Sequence, residues 1–415
     1  MKILLISSLY PPHVVGGAEK AAAQLAEGLV ARGHDVAVAS LHPGSSEIVE
    51  HRNGVRVYRL PLDNLYWPYG RDRKPSRIWR LAWQFREVWN PAALRRIGKI
   101  LDAENPDVVN THNVCGFSLA VWREVKRRKV RLVHTLHDYY LMCPRCTLFN
   151  HGRKCEERCF TCKVLTFNRR SLARLPDSVI SVSQHALNEH CRRHFLEGLP
   201  ATVIYNIQRP LEMGGVQSPN ADPEERTEDL IFGFIGRVEE EKGIETLLAA
   251  TRQLHQSRWK LKIAGKGLEN YVQNLARQFP DSRIEWLGFT DAAKFYASTD
   301  IIVVPSLWSE PLPYVCVESL HAGKSLICAS SGGIPEIAGL SSLVEFFPAG
   351  DANALAEKMN IALASPRAWR QSRIPDATTL TAFSEEVVVE SYLREYDPQK
   401  AAAPRRSGSR NLSGG

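Results

Sequence analysis

Short apolar runs alternate with helical patterns along almost the whole chain. A first series comprises "KILLIS", "DVAVAS", "PDVVNTH", "VRLVHTL", "DSVISVS" and "ATVIYN", and a second comprises "DLIFGFIG", "WKLKIAG", "RIEWLG", "DIIVVPS", "KSLICAS" and "SLVEFF". These runs are apolar throughout, which is typical of parallel strands covered by helices on both faces. The pattern therefore predicts an α/β protein with two doubly wound, Rossmann-like domains that face each other across a cleft.

A stretch rich in proline, glycine, asparagine and acidic residues separates the two series and predicts a linker at residues 206–228. The N-terminal domain is then expected over residues 1–205 and the C-terminal domain over residues 229–378. A helix at 379–396 is expected to cross back to the N-terminal domain, and residues 397–415 are expected to form a disordered tail. Because ligands of doubly wound sheets bind at the carboxyl ends of strands, the functional site is expected in the cleft.

The composition, with 44% hydrophobic and 24% charged residues, is that of an ordinary globular protein. The chain has no run of about 18 apolar residues that would predict a membrane span. Its first residues, "MKILLIS", lack a cleavage site and are interpreted as a buried strand, so a cytoplasmic protein is expected. The formal charge of +8 fits anionic partners such as nucleotides, phosphorylated lipids, membrane surfaces or nucleic acids, or a basic surface without a partner.

Residues 66–99 interrupt the strand pattern with four of the nine tryptophans and many basic residues. Trp79, Trp83 and Arg86 are predicted to share one helix face with Ala82. This combination of aromatic and basic side chains suggests a site for a membrane surface or a lipid acceptor, with peripheral contact at the inner face of the cell membrane. The alternative is a helix that packs on its own domain with solvated arginines.

A second insertion, at residues 143–162, contains five of the nine cysteines in the spacing C-x2-C-x8-C-x3-C-x2-C. In a reducing compartment, Cys143, Cys155, Cys159 and Cys162 are predicted to be the ligands of a structural zinc ion. Free thiols and a disulfide pair are the alternatives, since the spacing is not that of a standard zinc finger.

Two strand-to-helix turns carry features of a phosphate site. Gly16 and Gly17 precede the first helix, where the backbone can approach a ligand at the positive end of the helix. Arg237 and Lys242 follow the first strand of the second series and are placed to clamp a diphosphate. The alternatives are a tight turn for the glycines and ion pairs with residues 239–241 for the cations.

The stretch "WSEPLPYVCVESLHAGK" places Glu310 in a loop above the cleft and Glu318 in the helix that follows. The expected free amide donors at this helix start are those of Leu312, Tyr314 and Val315. The two carboxylates are predicted to accept hydrogen bonds from the hydroxyls of a nucleotide-sugar, the alternative being ordinary helix-start and surface residues.

Three further polar or glycine-rich positions follow strands that end at the same cleft. Gly332 and Gly333 form another glycine-rich turn whose amides are expected to face an anionic ligand. In the first domain, His112, His137 and Asp138 follow strands that end at the cleft, although a lone histidine is more often structural. One anionic ligand bound between the domains would account for all of these positions.

The segments "GGAE", "GRVEEEKG", "EPLPYVCVE" and "SSGGIPE", in this order, resemble those of a retaining glycosyltransferase of the GT-B fold, family 4, over roughly residues 1–396. The resemblance implies that Gly16 and Gly17 lie near the donor diphosphate and that "SGGIPE" holds sugar and phosphate through its backbone. It further implies phosphate binding by Arg237 and Lys242, sugar binding by Glu310, ribose binding by Glu318, and a position near the reacting sugar for His112.

The implied activity is that of a hexosyltransferase (EC 2.4) that moves sugar from a UDP- or GDP-sugar to a saccharide or lipid-linked saccharide on the N-terminal domain. Its catalytic residues would be His112, Arg237, Lys242 and Glu310, no cofactor would be needed, and the two cations would stabilise the leaving diphosphate instead of a metal. Cell-surface polysaccharide or glycoconjugate synthesis is the expected context. The chain departs from the common E-x-F-G pattern because Pro311 and Pro313 surround Leu312.

Two alternatives to this activity remain at this point. The first is another GT-B enzyme, such as a UDP-sugar epimerase, which would not need both glutamates and both cations. The second is a basic, zinc-containing nucleic-acid-binding protein, which the charge and the cysteines suggest. Because no nucleic-acid motif is present and the basic residues are dispersed, no nucleic-acid partner is expected.

Overall fold

The computed structural model describes residues 1–69, 75–209, 229–370, 375 and 377–397, which form two large sheets covered by helices. The strands of the first half are β1 (Lys2–Ile6), β2 (Asp35–His42), β3 (Ile48–Arg52), β4 (Val55–Pro61), β5 (Val108–Thr111), β6 (Arg131–Leu136), β7 (Phe149–Asn150), β8 (Arg153–Lys154), β9 (Ser178–Ser181) and β10 (Ala201–Val203). Its helices are α1 (Gly17–Ala31), α2 (Arg77–Val88), α3 (Pro91–Glu104), α4 (Val121–Arg127), α5 (Phe160–Leu165), α6 (Arg169–Leu172) and α7 (Gln184–Arg192).

The second half contains strands β11 (Leu230–Ile235), β12 (Trp259–Ala264), β13 (Ile284–Gly288), β14 (Ile301–Val304), β15 (Ser325–Ala329) and β16 (Val344–Phe347). Its helices are α8 (Ile244–Thr251), α9 (Glu269–Gln278), α10 (Ala292–Ala297), α11 (Tyr314–His321), α12 (Ile334–Ala338), α13 (Ala352–Ala364), α14 (Pro366–Arg370), α15 (Ala377–Thr381) and α16 (Glu385–Tyr396). One 3-10 turn, Glu240–Lys242, lies between β11 and α8.

Both large sheets are doubly wound. The first has the order β10-β9-β6-β5-β1-β2-β4-β3 and is parallel except for the edge strand β3, while the second has the order β13-β12-β11-β14-β15-β16 and is parallel throughout. The winding direction reverses between β1 and β5 in the first sheet and between β11 and β14 in the second. The loops at these reversal points are where doubly wound sheets bind ligands. The predicted fold class is confirmed.

The apolar runs of the sequence do not predict the hairpin formed by β3 and β4. In β4, "VRVYRLP", apolar residues alternate with arginine and tyrosine, and β3 exposes Ile48 and Val49 at the sheet edge. Strands with one solvated side do not form the continuous apolar runs that mark buried parallel strands.

The last helix, α16, packs on the N-terminal half of the chain. Val389 and Tyr392 lie in the same apolar cluster as residues of β1 and β2, and the Tyr396 hydroxyl donates a hydrogen bond of 2.9 Å to Asn110 Oδ1 in β5. The helix begins at Glu385, six residues later than the segment expected from the sequence. Most of the predicted linker, from residue 210 onward, and the predicted tail from residue 398 lie outside the described residues.

The helix α2, which lies in the tryptophan-rich segment 66–99, packs on its domain through Trp83 and Glu87, which are 3% and 2% exposed. Trp83 therefore lies on the buried face of the helix. Trp79, Trp83 and Arg86 do not form the single outward-facing surface that the sequence predicted. Among the described residues, no helix has both the length and the apolar character needed to cross a membrane.

Candidate donor cleft

Loops from both halves of the chain enclose a cavity of about 160 Å³ at the two reversal points. The N-terminal half contributes the loop after β1, and the C-terminal half contributes the loops after β11 and β14. Five of the predicted donor-site residues line this cavity, namely Gly16, Arg237, Lys242, Glu310 and Val315. The other predicted donor residues, Gly17, Leu312, Tyr314, Glu318, Gly332 and Gly333, and His112 of the first half do not line it.

Glu310 and Lys242 form a buried ion pair at the carboxyl end of β14. Lys242 Nζ lies 2.8 Å from Glu310 Oε1, and the Ser306 hydroxyl donates a hydrogen bond to the same oxygen. The Lys242 ammonium also lies 5.4 Å from the centre of the Trp308 ring. Since the Glu310 side chain is only 9% exposed, the pair is largely desolvated, and its electrostatic interactions are stronger than at an open surface.

The position of Lys242 depends on close contact between two loops. Gly243 has φ of 72°, and a Cβ at this position would lie 1.8 Å from the carbonyl oxygen of Pro305. The Leu307 amide donates a hydrogen bond of 2.9 Å to the carbonyl oxygen of Glu241. Only glycine permits this approach at this φ, so the sequence "EKG" fixes the lysine above the loop that follows β14.

Arg237 forms the ion pairs that were the alternative to diphosphate binding, and it also lies at the cavity. Its guanidinium contacts Glu239 Oε2 at 2.6 Å and Glu241 Oε1 at 2.8 Å, and it lines the cavity as well. The side chain is one-third exposed, so these ion pairs contribute little to stability and can rearrange at small cost when an anion binds.

Gly332 and Gly333 pack directly under the loop that carries Glu310. A Cβ on Gly332, whose φ is 62°, would lie 2.3 Å from the Glu310 nitrogen, and the Gly333 amide donates a hydrogen bond of 2.7 Å to the Glu310 carbonyl oxygen. The Gly333 amide is thus bound to protein and not open to a ligand, in contrast to the expectation from the sequence. Both glycines support the Glu310 backbone.

The prolines around Leu312 connect the Glu310 loop to the N-terminal half of the chain. The Pro311 carbonyl oxygen accepts a hydrogen bond from Ser183 Oγ at the start of α7, and α11 begins directly after Pro313. The first turn of α11 contains Tyr314 and Val315, whose amides are two of the three predicted donors. Leu312, with the third, is buried.

Glu318 in α11 is held from both halves of the chain. Its Oε1 atom lies 3.0 Å from Lys20 Nζ in α1, and its Oε2 atom accepts a hydrogen bond of 3.0 Å from the hydroxyl of the buried Tyr296. Next to this pair, a Cβ on Gly17 would lie 2.5 Å from the Tyr314 ring, so α1 starts in direct contact with α11. The predicted ribose-binding carboxylate therefore lies where the two halves meet.

Gly16 both caps α1 and lines the cavity. Its amide donates a hydrogen bond of 2.8 Å to Glu19 Oε2, the arrangement of a capping box in which the third helical residue bonds back. The Glu19 carboxyl is buried and burial raises its pKa. The backbone at Gly16 faces the cavity, while its amide hydrogen is bound to the helix it precedes.

His112 and His137 form a neutral pair at the ends of β5 and β6. His112 Nδ1 and His137 Nε2 share a hydrogen bond of 2.8 Å, and the rings stack with centres 5.1 Å apart. Burial lowers the pKa of His137 to about 4 and holds the pKa of His112 well below its usual range. Within the described structure His112 Nε2 has no hydrogen-bond partner, and the ring is 2% exposed, so His137 is the more accessible of the two.

The carboxyl group of Asp138, the residue that follows His137, has a raised pKa. Burial is the main reason that its pKa is raised to about 7; Glu19 and Cys143 contribute to this rise, while the Tyr140 amide, at 2.7 Å from Oδ1, and Arg169 oppose it. The folded state thus holds a proton that the unfolded chain, with a carboxyl pKa near 4, has already released at pH 5. Stability from this group is present in acid and is lost as the pH rises to about 7.

We therefore expect Asp138→Asn, which cannot ionise, to gain stability relative to the unsubstituted protein as the pH rises from 5 to 8. The free energy of unfolding of the variant minus that of the unsubstituted protein is expected to rise by about 2 kcal/mol between pH 5 and pH 8. Urea denaturation of both proteins at each pH measures it. An equal difference at pH 5 and pH 8 would show that the Asp138 pKa is unperturbed.

The cysteine insertion does not form the predicted zinc site. In the part of the chain that the structure describes, no three histidine, cysteine, aspartate or glutamate side chains converge to hold a metal ion. Instead, interaction with the Cys162 thiol lowers the pKa of Cys143 to about 6, and Cys143 and Cys159 both raise the pKa of Cys162. Cys155 is half-buried and Cys159 exposed, and all four are free thiols, the alternative that the spacing left open.

Four further side chains in and beside the cleft were not singled out from the sequence. Lys20, Ser306 and Tyr296 contact the two glutamates, as described above. Glu336, at the start of α12, accepts hydrogen bonds from the Gln184 amide at 2.8 Å, the His185 amide at 3.0 Å and the Tyr205 hydroxyl at 3.0 Å. Of these four, Glu336 is the last residue of the motif "SSGGIPE" and Lys20 directly follows the motif "GGAE".

Comparison with known proteins gives matches over both halves. Residues 15–207 match the sequence model of Glycosyltransferase Family 4, and residues 229–365 match the model described as Glycosyl transferases group 1. A protein of Klebsiella pneumoniae, described as an uncharacterized 42.6 kDa protein in the cps region, is 30% identical over 337 residues, which cover 81% of this chain and 87% of the relative.

Two solved structures resemble the whole chain. Sucrose-phosphate synthase from Thermosynechococcus elongatus has a TM-score of 0.75 at 20% identity and covers 97% of this chain and 100% of its own. HepE from Anabaena, solved in complex with UDP, has a TM-score of 0.69 at 19% identity and covers 95% of this chain and 99% of its own. At these identities the likeness establishes the shared two-domain fold.

Proposed function

Because this chain belongs to glycosyltransferase family 4, with the GT-B fold and a nucleotide-sugar donor, we propose that its cleft transfers a hexose from a UDP- or GDP-sugar to a saccharide acceptor with retention of configuration. The observation that carries the proposal is the buried Lys242–Glu310 pair, which lines the cavity together with Arg237 and Gly16. A cation pair and a carboxylate side by side fit a sugar diphosphate, in which charged phosphates adjoin neutral hydroxyls.

The two cations have the role of stabilising the leaving diphosphate. Negative charge grows on the phosphate oxygen as the bond to the anomeric carbon breaks, and a preorganised ammonium and guanidinium stabilise that charge. The hydrogen-bonded pair with Glu310 fixes the Lys242 ammonium before the donor binds. Members of the family are generally metal-independent, so these residues would do what a divalent cation does elsewhere.

Retention is assigned to a displacement on one face of the sugar. The acceptor oxygen bonds to the anomeric carbon on the side from which the diphosphate departs, and its proton passes to the leaving phosphate oxygen. Glu310 has the role of accepting hydrogen bonds from hydroxyls of the transferred sugar, and Glu318 that of accepting them from the ribose. His112, which is hydrogen-bonded to His137, has its proposed place near the reacting sugar. The backbone around Gly17, Leu312, Gly332 and Gly333 shapes this donor site.

We place the acceptor, a saccharide or lipid-linked saccharide, on the N-terminal domain. The similarity to the Klebsiella protein of the cps region supports a role in cell-surface polysaccharide or glycoconjugate synthesis. The UDP in the HepE structure supports a uridine donor for a chain of the same fold. A cytoplasmic reaction at the inner face of the membrane stays a prediction from the sequence.

A thermal-shift screen of the full chain against UDP-, GDP- and ADP-sugars tests the donor assignment. One base is expected to raise the melting temperature by several degrees, since ligand at about 100 times its Kd adds about 2.7 kcal/mol to stability. Incubation of that donor with saccharide acceptors should then release the nucleoside diphosphate and give a product whose anomeric coupling in NMR matches the donor. Absence of any shift, or conversion of the donor to an epimer without transfer, would contradict the proposal.

A further inference from the structure

The helix α2 turns its apolar side to solvent. Ile78 is 78% exposed, Phe85 63%, Trp79 56% and Trp89, just after the helix, 51%. Leu81 is exposed as well. A surface helix of a globular domain normally buries such a stripe against the core.

A buried carboxylate holds the helix in this orientation. Glu87 Oε1 accepts hydrogen bonds from the Gly116 amide at 2.8 Å, the Ser118 amide at 3.3 Å and the Tyr140 hydroxyl. Rotating the helix to bury its apolar stripe would expose this carboxylate and leave the two amides unpaired, which is costly. The outward face is therefore built into the fold and is not a loose contact.

The cysteine insertion extends the same face. Phe160 is 82% exposed, Phe167 69% and Val164 44%. The residues that follow Phe167 reach α2, because Asn168 Nδ2 lies 3.5 Å from the Val88 carbonyl oxygen and Arg169 Nη2 lies 3.4 Å from Gln84 Oε1. We call these exposed apolar residues, from α2 and from residues 160–167, the docking face; they are Ile78, Trp79, Leu81, Phe85, Trp89, Phe160, Val164 and Phe167.

Cations surround the docking face and outnumber the exposed carboxylates beside it. Arg77, Arg80 and Lys163 are exposed, and the exposed Arg123 lies with its guanidinium 6.0 Å from the Trp89 ring. Between residues 75 and 89 and between residues 160 and 174, the one acidic residue is the buried Glu87, and the exposed Glu156 and Glu157 lie just before Phe160 next to the basic Arg158. An apolar centre with a cationic rim matches the interface of an anionic bilayer.

We propose that the docking face binds the surface of a membrane that contains anionic lipid. The aromatic and aliphatic side chains enter the interfacial region, and the guanidinium and ammonium groups contact lipid phosphates. A second copy of the chain fits the face less well, because a symmetric dimer would bring the same cationic rims together. Through its hydrogen bonds, Glu87 connects the docking face to the loops after β5 and β6. This step rests on the proposed function: a lipid-linked acceptor would reach the cleft from this side.

Flotation of the full-length chain with vesicles tests the proposal. One set of vesicles is phosphatidylcholine alone, and the other contains about 30 mol % phosphatidylglycerol. The wild-type protein is expected to float with the anionic set only, and less at high salt. The variant Ile78→Ser/Phe85→Ser is expected to bind at least about tenfold more weakly, as is Arg77→Gln/Arg80→Gln.

Phe289→Ser is the matched control, because Phe289 is 79% exposed but lies in the C-terminal domain after β13. It should bind vesicles like the wild type. Donor-induced thermal shifts of all variants should stay at the wild-type value, which separates a failure of the docking face from a failure of the donor site. Absence of wild-type binding, equal binding by the serine variant, or a wild-type dimer that the serine variant dissociates in sedimentation velocity would overturn the proposal.

Discussion

Replacing Lys242 with methionine is expected to lower the rate of sugar transfer by about 100- to 1,000-fold, the usual cost of removing one charge-stabilising group from an active site. Methionine keeps the length and the apolar stem of lysine but removes the ammonium, which lies 2.8 Å from Glu310 and lines the cavity. The loss should appear in kcat more than in KM, because the diphosphate gains negative charge in the transition state. Steady-state release of nucleoside diphosphate in the presence of acceptor measures both constants.

Lys358→Met is the matched control for Lys242→Met. Lys358 also forms an ion pair of 2.9 Å, with Glu345, but lies in α13, and it should keep wild-type rates. The Lys242 variant leaves a buried carboxylate without its partner, so a lower melting temperature is expected and the assays belong well below it. If transfer by the folded Lys242 variant stayed within about threefold of wild type, the proposed catalytic role would be wrong.

The two sheets could be predicted because their strands are short apolar runs buried on both sides. Where a strand is half-solvated, as in β3 and β4, the same criterion fails, since arginine at alternate positions hides the strand. The carboxyl ends of β1, β11 and β14 are where the sequence predicted functional loops, and these three loops line the cavity. The outward orientation of α2 could not be predicted, since it depends on hydrogen bonds from Gly116 and Ser118 to Glu87.

The site was predictable as a set of residues but not as a set of contacts. Sequence identifies Gly333 as a glycine before a helix, yet only the structure gives its hydrogen bond to the Glu310 carbonyl oxygen. The spacing of the cysteines likewise says nothing about where their sulfur atoms point, and in the described part of the chain they do not form a group that could hold a metal ion. Lys20 pairs with Glu318 across almost 300 residues of sequence, a distance over which no periodicity gives information.

Removing the carboxylate of Glu318 is expected to weaken nucleotide binding more than any other single change in α11. Hydrogen bonds from ribose hydroxyls to a carboxylate contribute about 2 to 3 kcal/mol, so Glu318→Ala should raise the Kd of the nucleoside diphosphate by about 30- to 150-fold. Isothermal titration with the nucleotide selected in the donor screen measures this. The same titration with its 2′,3′-dideoxy analogue should give similar Kd values for the variant and the wild type.

Two further variants separate ribose binding from the structural contacts of Glu318. Lys20→Met removes the 3.0 Å ion pair to α1, and Tyr296→Phe removes the hydrogen bond to Oε2, while both keep the carboxylate. Each should change the Kd by less than about tenfold, since the exposed ion pair contributes about 1 kcal/mol and the Tyr296 hydroxyl contacts the carboxylate and not the ribose. If Lys20→Met weakened binding as much as Glu318→Ala, the carboxylate would act by joining the two halves of the chain and not by binding ribose. If, of the three variants, only Glu318→Ala no longer distinguished the nucleotide from its dideoxy analogue, the carboxylate would bind the ribose hydroxyls directly.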